Sequence, residues 1–163
     1  MKPLTYQIRR VSRDARLLQR GAVAVEFAFV TIVILMMTAG IVEFGRAFWY
    51  YNALDKATRD AARYLSALPA TDMTNNTEAA AAVLKAKDLV VSAVNGARVS
   101  PVLPAANVVV ECDSAACNGT KPVNVTVSVK LPIILGAWFP FVIGQSQYTS
   151  FDLQQHTTMP YMN

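Results

Sequence analysis

Residues 20–46 read RGAVAVEFAFVTIVILMMTAGIVEFGR, and how the rest of the chain is read depends on them. From Ala22 to Val42 the only charged side chain is Glu26. As a helix rising about 1.5 Å per residue this run spans about 30 Å, the thickness of a bilayer's hydrocarbon core. The whole 163-residue chain is 53% hydrophobic and 16% charged, against about 25% charged for an ordinary soluble domain. The sequence therefore predicts a single membrane helix followed by a smaller polar domain.

On the N-terminal side lie six bases, Lys2, Arg9, Arg10, Arg13, Arg16 and Arg20, with one acid, Asp14. From residue 21 onward there are nine bases and ten acids. The formal +4 and the pI near 9.2 thus belong to a leader, and the body has no basic excess to offer a nucleic acid. A cleaved secretory signal has an apolar region of about 7–15 residues and a small-residue cleavage site beyond it. This run is longer and is followed by EFGRAFWYY, aromatic residues suited to a membrane interface. An uncleaved anchor fits better, and the positive-inside rule puts the leader in the cytoplasm and the residues after about 45 on the opposite side.

The helical pattern continues past the membrane run. Ala47, Tyr51, Leu54, Thr58, Ala61, Leu65 and Leu68 recur at steps of four and three and form one stripe, with Asp55 and Arg59 paired four apart on the polar side. Pro69 ends this helix, residues 69–78 read as a polar connection, and Asn75 with Glu78 forms a capping box for a second helix that stops at Asn95-Gly96. The apolar face of that helix is assigned to Val83, Leu84, Leu89, Val90, Val91 and Val94. Strands are expected over residues 107–112 and 123–130, joined as a long hairpin, with a third within residues 147–156. In the second strand Val123, Val125, Val127 and Val129 alternate with polar residues. The fold class is α+β: a long N-terminal helix, a second helix and a small antiparallel sheet of about three strands. Residues 131–144 carry no charge, and Pro132, Gly136 and Pro140 interrupt them too often for a second span. They are either buried in the domain or a surface for a partner or the membrane.

Cys112 and Cys117, in CDSAAC, fall in the exported part, where a bridge closing this small ring would contribute about 2 kcal/mol; two unpaired thiols are the alternative. His156 is the sole histidine, so no zinc ligand set is expected. No nucleophile elbow, phosphate loop or HExxH helix appears, and no enzyme activity, cofactor or small-molecule substrate is expected. The three N-x-T triplets, at Asn75, Asn118 and Asn124, are taken as chance.

Glu26 needs an explanation, because an ionised carboxylate inside a bilayer costs about 2.5–3.5 kcal/mol on insertion scales. Snorkelling towards the cytoplasmic headgroups is one account. The neighbourhood supplies another: a basic leader ending in Arg20-Gly21, then Ala22-Val23-Ala24-Val25, then Glu26-Phe27. This resembles the processing site of type IV prepilins, and especially of Tad (Flp) pilus systems, in which a prepilin peptidase cuts after the glycine. Carried over, the cut lies between Gly21 and Ala22 and leaves 142 residues, with Glu26 the fifth. The new amino group of Ala22 is a positive charge at a helix start, where the dipole disfavours it, and Glu26 of an adjacent subunit is suited to neutralise it.

With Glu43-Phe44-Gly45-Arg46 and the closing AARYLS of residues 61–66, the pattern resembles the TadE-like pseudopilins. Members frequently carry a proline partway along the membrane helix, where this chain has Thr31. General secretion pseudopilins prefer Phe after the cut, where this chain has Ala22, and major Tad pilins are much shorter. The resemblance implies a cytoplasmic leader (1–21), a membrane helix (22–45) and a periplasmic α+β domain (46–163) in a bacterial inner membrane protein with one span. It implies a minor pilin that acts in pilus assembly or initiation, and so in adhesion and biofilm formation. Its partners would be a prepilin peptidase, a TadF-like pseudopilin, the Flp major pilin and the Tad inner-membrane assembly platform. The alternative is a signal-anchored periplasmic binding domain in which Gly21 and Glu26 are incidental. At the outer interface, Glu43 and Arg46 neutralise one another.

Overall fold

The computed structural model describes residues 4–134 and 150–163, with side chains from residue 21 onward. The leader's side chains and residues 135–144 of the uncharged segment lie outside the described residues, as do residues 147–149 of the expected third strand. Among the described residues seven elements follow in order: α1 (Leu4–Ser66), α2 (Ala70–Thr74), α3 (Asn76–Gly96), a 3-10 turn (Ala105–Asn107), β1 (Val108–Cys112), β2 (Asn124–Ile134) and β3 (Ser150–Pro160). The chain divides into two compact units, Met1–Val42 and Glu43–Asn163. Its class is the α+β one expected, with a three-stranded antiparallel sheet.

In the first unit α1 runs without a break through the apolar residues. The Thr31 hydroxyl donates to the Phe27 carbonyl at 2.8 Å, and Thr38 does the same to Ile34 at 2.8 Å. Both threonines thereby satisfy their polar group on their own helix, which a residue among apolar neighbours must do. Val23, Phe27, Phe29, Leu35 and Met37 all stand open. The most apolar window of this helix has mean hydropathy 2.3 and is only 6% buried, and among the described residues it is the one helix long and apolar enough to cross a membrane. A soluble protein's core helix hides such a surface; this one leaves nearly all of it open, Ala39 excepted, as lipid contact requires.

The second unit is a head built on the last turns of α1. Leu54, Thr58, Ala61 and Leu65 of the expected stripe are fully buried, and Ala57 and Ala62 widen it. Tyr51 departs from expectation: Tyr50 turns inward in its place, and Tyr51 is 41% exposed. Thr58 is accommodated among apolar residues because its hydroxyl bonds to the Asp55 carbonyl at 3.0 Å and the Thr157 hydroxyl at 3.1 Å. Asp55 pairs with Arg59 at 3.0 Å and also accepts from the Gln155 amide at 2.5 Å, so the expected i,i+4 pair extends to β3.

α1 ends at Ser66, three residues before Pro69, and Pro69 serves instead as N-cap of α2, a short helix where a polar connection was expected. Asn75 caps α3, its side chain accepting from the Thr77 N–H at 2.9 Å. The buried face of α3 agrees with the one assigned at Val90 and Val94, with Val83 and Val91 partly buried beside them, and departs from it at Leu84 and Leu89. Ala79, Ala82, Ala86, Val90 and Val94 are inside, whereas Leu84 is 68% exposed and Leu89 39%. Periodicity weighted towards large residues extends the assigned face to Leu84 and Leu89 and passes over the three buried alanines. At the far end the left-handed residue is Arg98 (φ 56°) rather than Gly96, and Asn95 holds the following connector by accepting from the Leu103 N–H at 2.9 Å.

β2 is the central strand, in antiparallel register with β1 (Val110 opposite Val127) and β3 (Val127 opposite Thr157). Val125, Val127, Val129, Leu131 and Ile133 point into the core, while Val123 lies outside the strand and is exposed. β2 absorbs Leu131–Ile134, the first residues of the uncharged segment. Pro132 fits because β1 ends opposite Val129, leaving β2 an edge on that side where a missing N–H needs no partner. β3 extends to Pro160, four residues past the expected limit. Between β1 and β2, Cys112 and Cys117 are joined by a disulfide with Cα atoms 4.9 Å apart. Asp113 and Ser114 adopt positive φ in that turn, and the Asp113 carboxylate accepts from the Val123 and Asn124 N–H groups at 2.9 and 2.7 Å. Gly119, at φ 76°, passes so close to Asn76 that a Cβ would collide with it.

The C-terminal residues close the head against the end of α1. The Tyr161 hydroxyl donates to the Leu68 carbonyl at 2.6 Å, and the Asn163 amide donates to the same carbonyl at 3.0 Å. Burial, and secondarily the charge of Asp72, raise the Tyr161 pKa above its ordinary value of 10.0. A raised phenol pKa means that the folded state favours the neutral form. The associated stability is therefore complete below pH 10.0 and declines as pH rises through the folded-state value. Tyr161→Phe is expected to lower stability by about 1 kcal/mol near neutrality and to flatten the alkaline decline, measured by denaturation of both proteins on either side of pH 10.0. Equal alkaline slopes would reject the assignment.

Candidate functional site

Gly21, Ala22, Glu26 and Phe27 lie in the first unit. On a helix, residues 22 and 26 are four apart and share a face. Glu26 and Phe27 are both exposed. Among the described residues no basic side chain lies within hydrogen-bonding reach of the Glu26 carboxylate. Gly21 sits within α1 with open space where a Cβ would be, so packing gives no reason for it, and a glycine inside a helix costs about 1 kcal/mol relative to alanine. Gly40 and Gly45 are equally open; what sets Gly21 apart is its place between the last base of the leader and the apolar run.

Glu43, Phe44, Gly45 and Arg46 fall at the start of the second unit, and the helix splits them between two directions. Arg46 Nη2 donates to Glu43 Oε2 at 2.6 Å and to the Ile134 carbonyl at 2.9 Å, and its guanidinium lies 5.7 Å from the Tyr50 ring centroid. The Glu43 and Arg46 side chains are 13% and 18% exposed. The pair expected from the sequence forms, and Arg46 has a further partner in the Ile134 carbonyl. Glu43 aims Arg46, and Arg46 fastens the last carbonyl of β2 to the base of the head helix. A side chain with several planar donors suits this role, and a lysine would lose the simultaneous contacts. The Glu43 Oε1 atom is buried and has no hydrogen-bond partner among the described residues. Phe44 points the other way and is 79% exposed, as are Phe48 and Trp49 at 62% each. Sequence reasoning identified Glu43 and Arg46 but missed Ile134, because a main-chain acceptor 88 residues away leaves no side-chain signature.

Phe44, Ala47, Phe48 and Tyr51 of α1 and Phe151, Asp152, Leu153 and Gln154 of β3 line an open groove of about 600 Å³. Its walls are mainly apolar. Asp152, the one acid in it, is paired with Lys130 at 2.9 Å. The described residues contain no cluster of three or more side chains able to hold a metal ion.

No curated protein and no solved structure matches this chain. The part that does match a known family begins at Gly21 and ends three residues before the end of α1: residues 21–63 match the family described as TadE-like protein, the one that the helix motifs resemble.

Proposed function

We propose that this chain is a minor pilin, or pseudopilin, of a Tad (Flp) type IV pilus, processed by a prepilin peptidase and required for assembly or initiation of the pilus. The observation that carries the reading is the matched helix itself: Gly21-Ala22 and Glu26 at the head of an unbroken, exposed apolar helix that continues into a folded α+β head. Cleavage after Gly21 would remove the basic leader and leave side chains with a formal balance of −1. The mature chain would stay in the inner membrane by its single span, with the head in the periplasm. The freed amino group of Ala22 and the Glu26 carboxylate of a neighbouring subunit are each costly in lipid alone and favourable as a pair. That pairing favours insertion of one subunit beside another. A TadF-like pseudopilin, the Flp major pilin and the Tad inner-membrane platform are the partners this mechanism calls for. The chemistry is packing and charge neutralisation, with no catalytic step. Adhesion and biofilm formation follow from the pilus.

The test is the mass of tagged protein from cells with and without the peptidase. Loss of the first 21 residues is expected only where the peptidase is present, and Gly21→Val is expected to block it. An identical, uncleaved mass in both strains overturns the reading and favours a signal-anchored binding domain.

A further inference from the structure

We propose that the aromatic groove at the base of the head seats on the bilayer leaflet that faces it and takes phospholipid acyl chains, so that the head lies on the membrane while the subunit awaits assembly. This rests on reading residues 22–42 as a span; it does not depend on cleavage or on a pilus partner. The groove has two walls from distant parts of the sequence. One is the helical stripe Phe44, Phe48 and Tyr51; the other is Phe151 and Leu153 of β3. Phe44, Phe48 and Phe151 are 79%, 62% and 54% exposed. Such a concentration of open aromatic surface in one place marks contact with something apolar.

Three observations select lipid as the occupant. Phe44 is two residues beyond Val42, the last residue of the apolar run, so chain connectivity alone keeps its Cα within about 7 Å of the end of the span. At that depth the surroundings are the headgroup boundary, where aromatic side chains are favoured. The polar groups at the groove also suit the boundary: Asp152 is neutralised by Lys130, Gln154 is uncharged, and Arg46 is turned away and engaged by Glu43 and the Ile134 carbonyl. No unpaired ionised group among the lining residues opposes approach to the acyl region. Finally, β3 brings Phe151 to the groove as an edge-strand residue, so the contact extends beyond the helix to the sheet. Arg46 holds that sheet end at the level of the helix aromatics.

The experiment uses the full chain with Trp49→Phe and Trp138→Phe, reconstituted in phosphatidylcholine vesicles with and without brominated acyl chains. A single tryptophan is then introduced as Phe151→Trp in the groove, Phe29→Trp in the span or Leu84→Trp on the exposed side of α3. Quenching of Phe151→Trp at least half as strong as that of Phe29→Trp, with none for Leu84→Trp, is the expected result. Phe48→Trp, on the opposite wall, repeats the measurement if Phe151→Trp does not fold. Quenching of Phe29→Trp alone overturns this proposal and leaves the span intact. Absence of quenching at Phe29→Trp overturns the span and this proposal with it. A groove signal that shifts with protein density and ignores bromine assigns the groove to a second copy of the chain, which also overturns it.

Discussion

Glu26→Ala is expected to leave peptidase cleavage after Gly21 intact and to reduce assembled pili by at least about tenfold, equivalent to about 1.4 kcal/mol lost per subunit contact. The two outcomes separate because they depend on different atoms. The proposed cut is at the Gly21-Ala22 peptide, and Glu26 lies more than one turn away along the helix. On the proposed mechanism, assembly brings the charged amino group of Ala22 to a counter-charge in lipid, where leaving it unpaired would cost several kcal/mol. Within a single chain the Glu26 carboxylate is exposed and has no basic partner among the described residues, so removing it takes nothing from the fold. Immunoblots of the cleaved form and pilus counts by electron microscopy check both halves. Normal piliation in the variant would remove the charge-pairing role. Glu26→Asp, which keeps the charge on a shorter side chain, is expected to recover part of the loss.

The largest effect on the fold is expected at Leu65. It is fully buried in the one cluster that joins α1, α3 and all three strands, and truncation to alanine leaves a cavity that the surrounding residues fill only partly. Leu65→Ala is expected to lower the head's stability by about 2–5 kcal/mol. Two variants of α3 test the orientation of that helix by the same measurement, chemical denaturation of the full chain in detergent. Leu84→Ala is expected to change stability by no more than about 0.5 kcal/mol, because Leu84 is 68% exposed. Ala86→Leu is expected to cost about 1–3 kcal/mol by overpacking a fully buried site. If Leu84→Ala proved the more damaging of the two, the packing of α3 described above would be wrong.

The alternation of Val125, Val127 and Val129 is readable because a strand's side chains have a period of two and valine occupies three successive inward positions. The burial of Leu54, Thr58, Ala61 and Leu65 was readable for the same kind of reason, a helical period preserved over several turns. α3 is readable only in part, at Val90 and Val94, because alanines fill the other core positions there and alanine carries little hydrophobic weight in any periodic count. α2 was missed because its five residues are too few to show a period, and the extension of β2 was missed because Pro132 reads as a breaker until β1 is seen to end beside it. The candidate site divides similarly. Gly21, Ala22, Glu26, Glu43 and Arg46 are close in sequence to the features that give them meaning. Ile134, Phe151 and Leu153 are not, and nothing local distinguishes them from other apolar residues.

The sequence alone determined the membrane-length helix, the basic leader before it, the α+β class and the family resemblance carried by the helix motifs. All of these depend on residue types within one helical turn or one apolar run, over which composition and spacing are sufficient. The tertiary structure decided which edge of α3 is buried, that Arg46 fastens the end of β2 to α1, and that Phe151 joins Phe44 and Phe48 in one groove. These depend on residues from tens to about a hundred positions apart meeting in space, and chain folding sets such distances through the combined packing of all the elements.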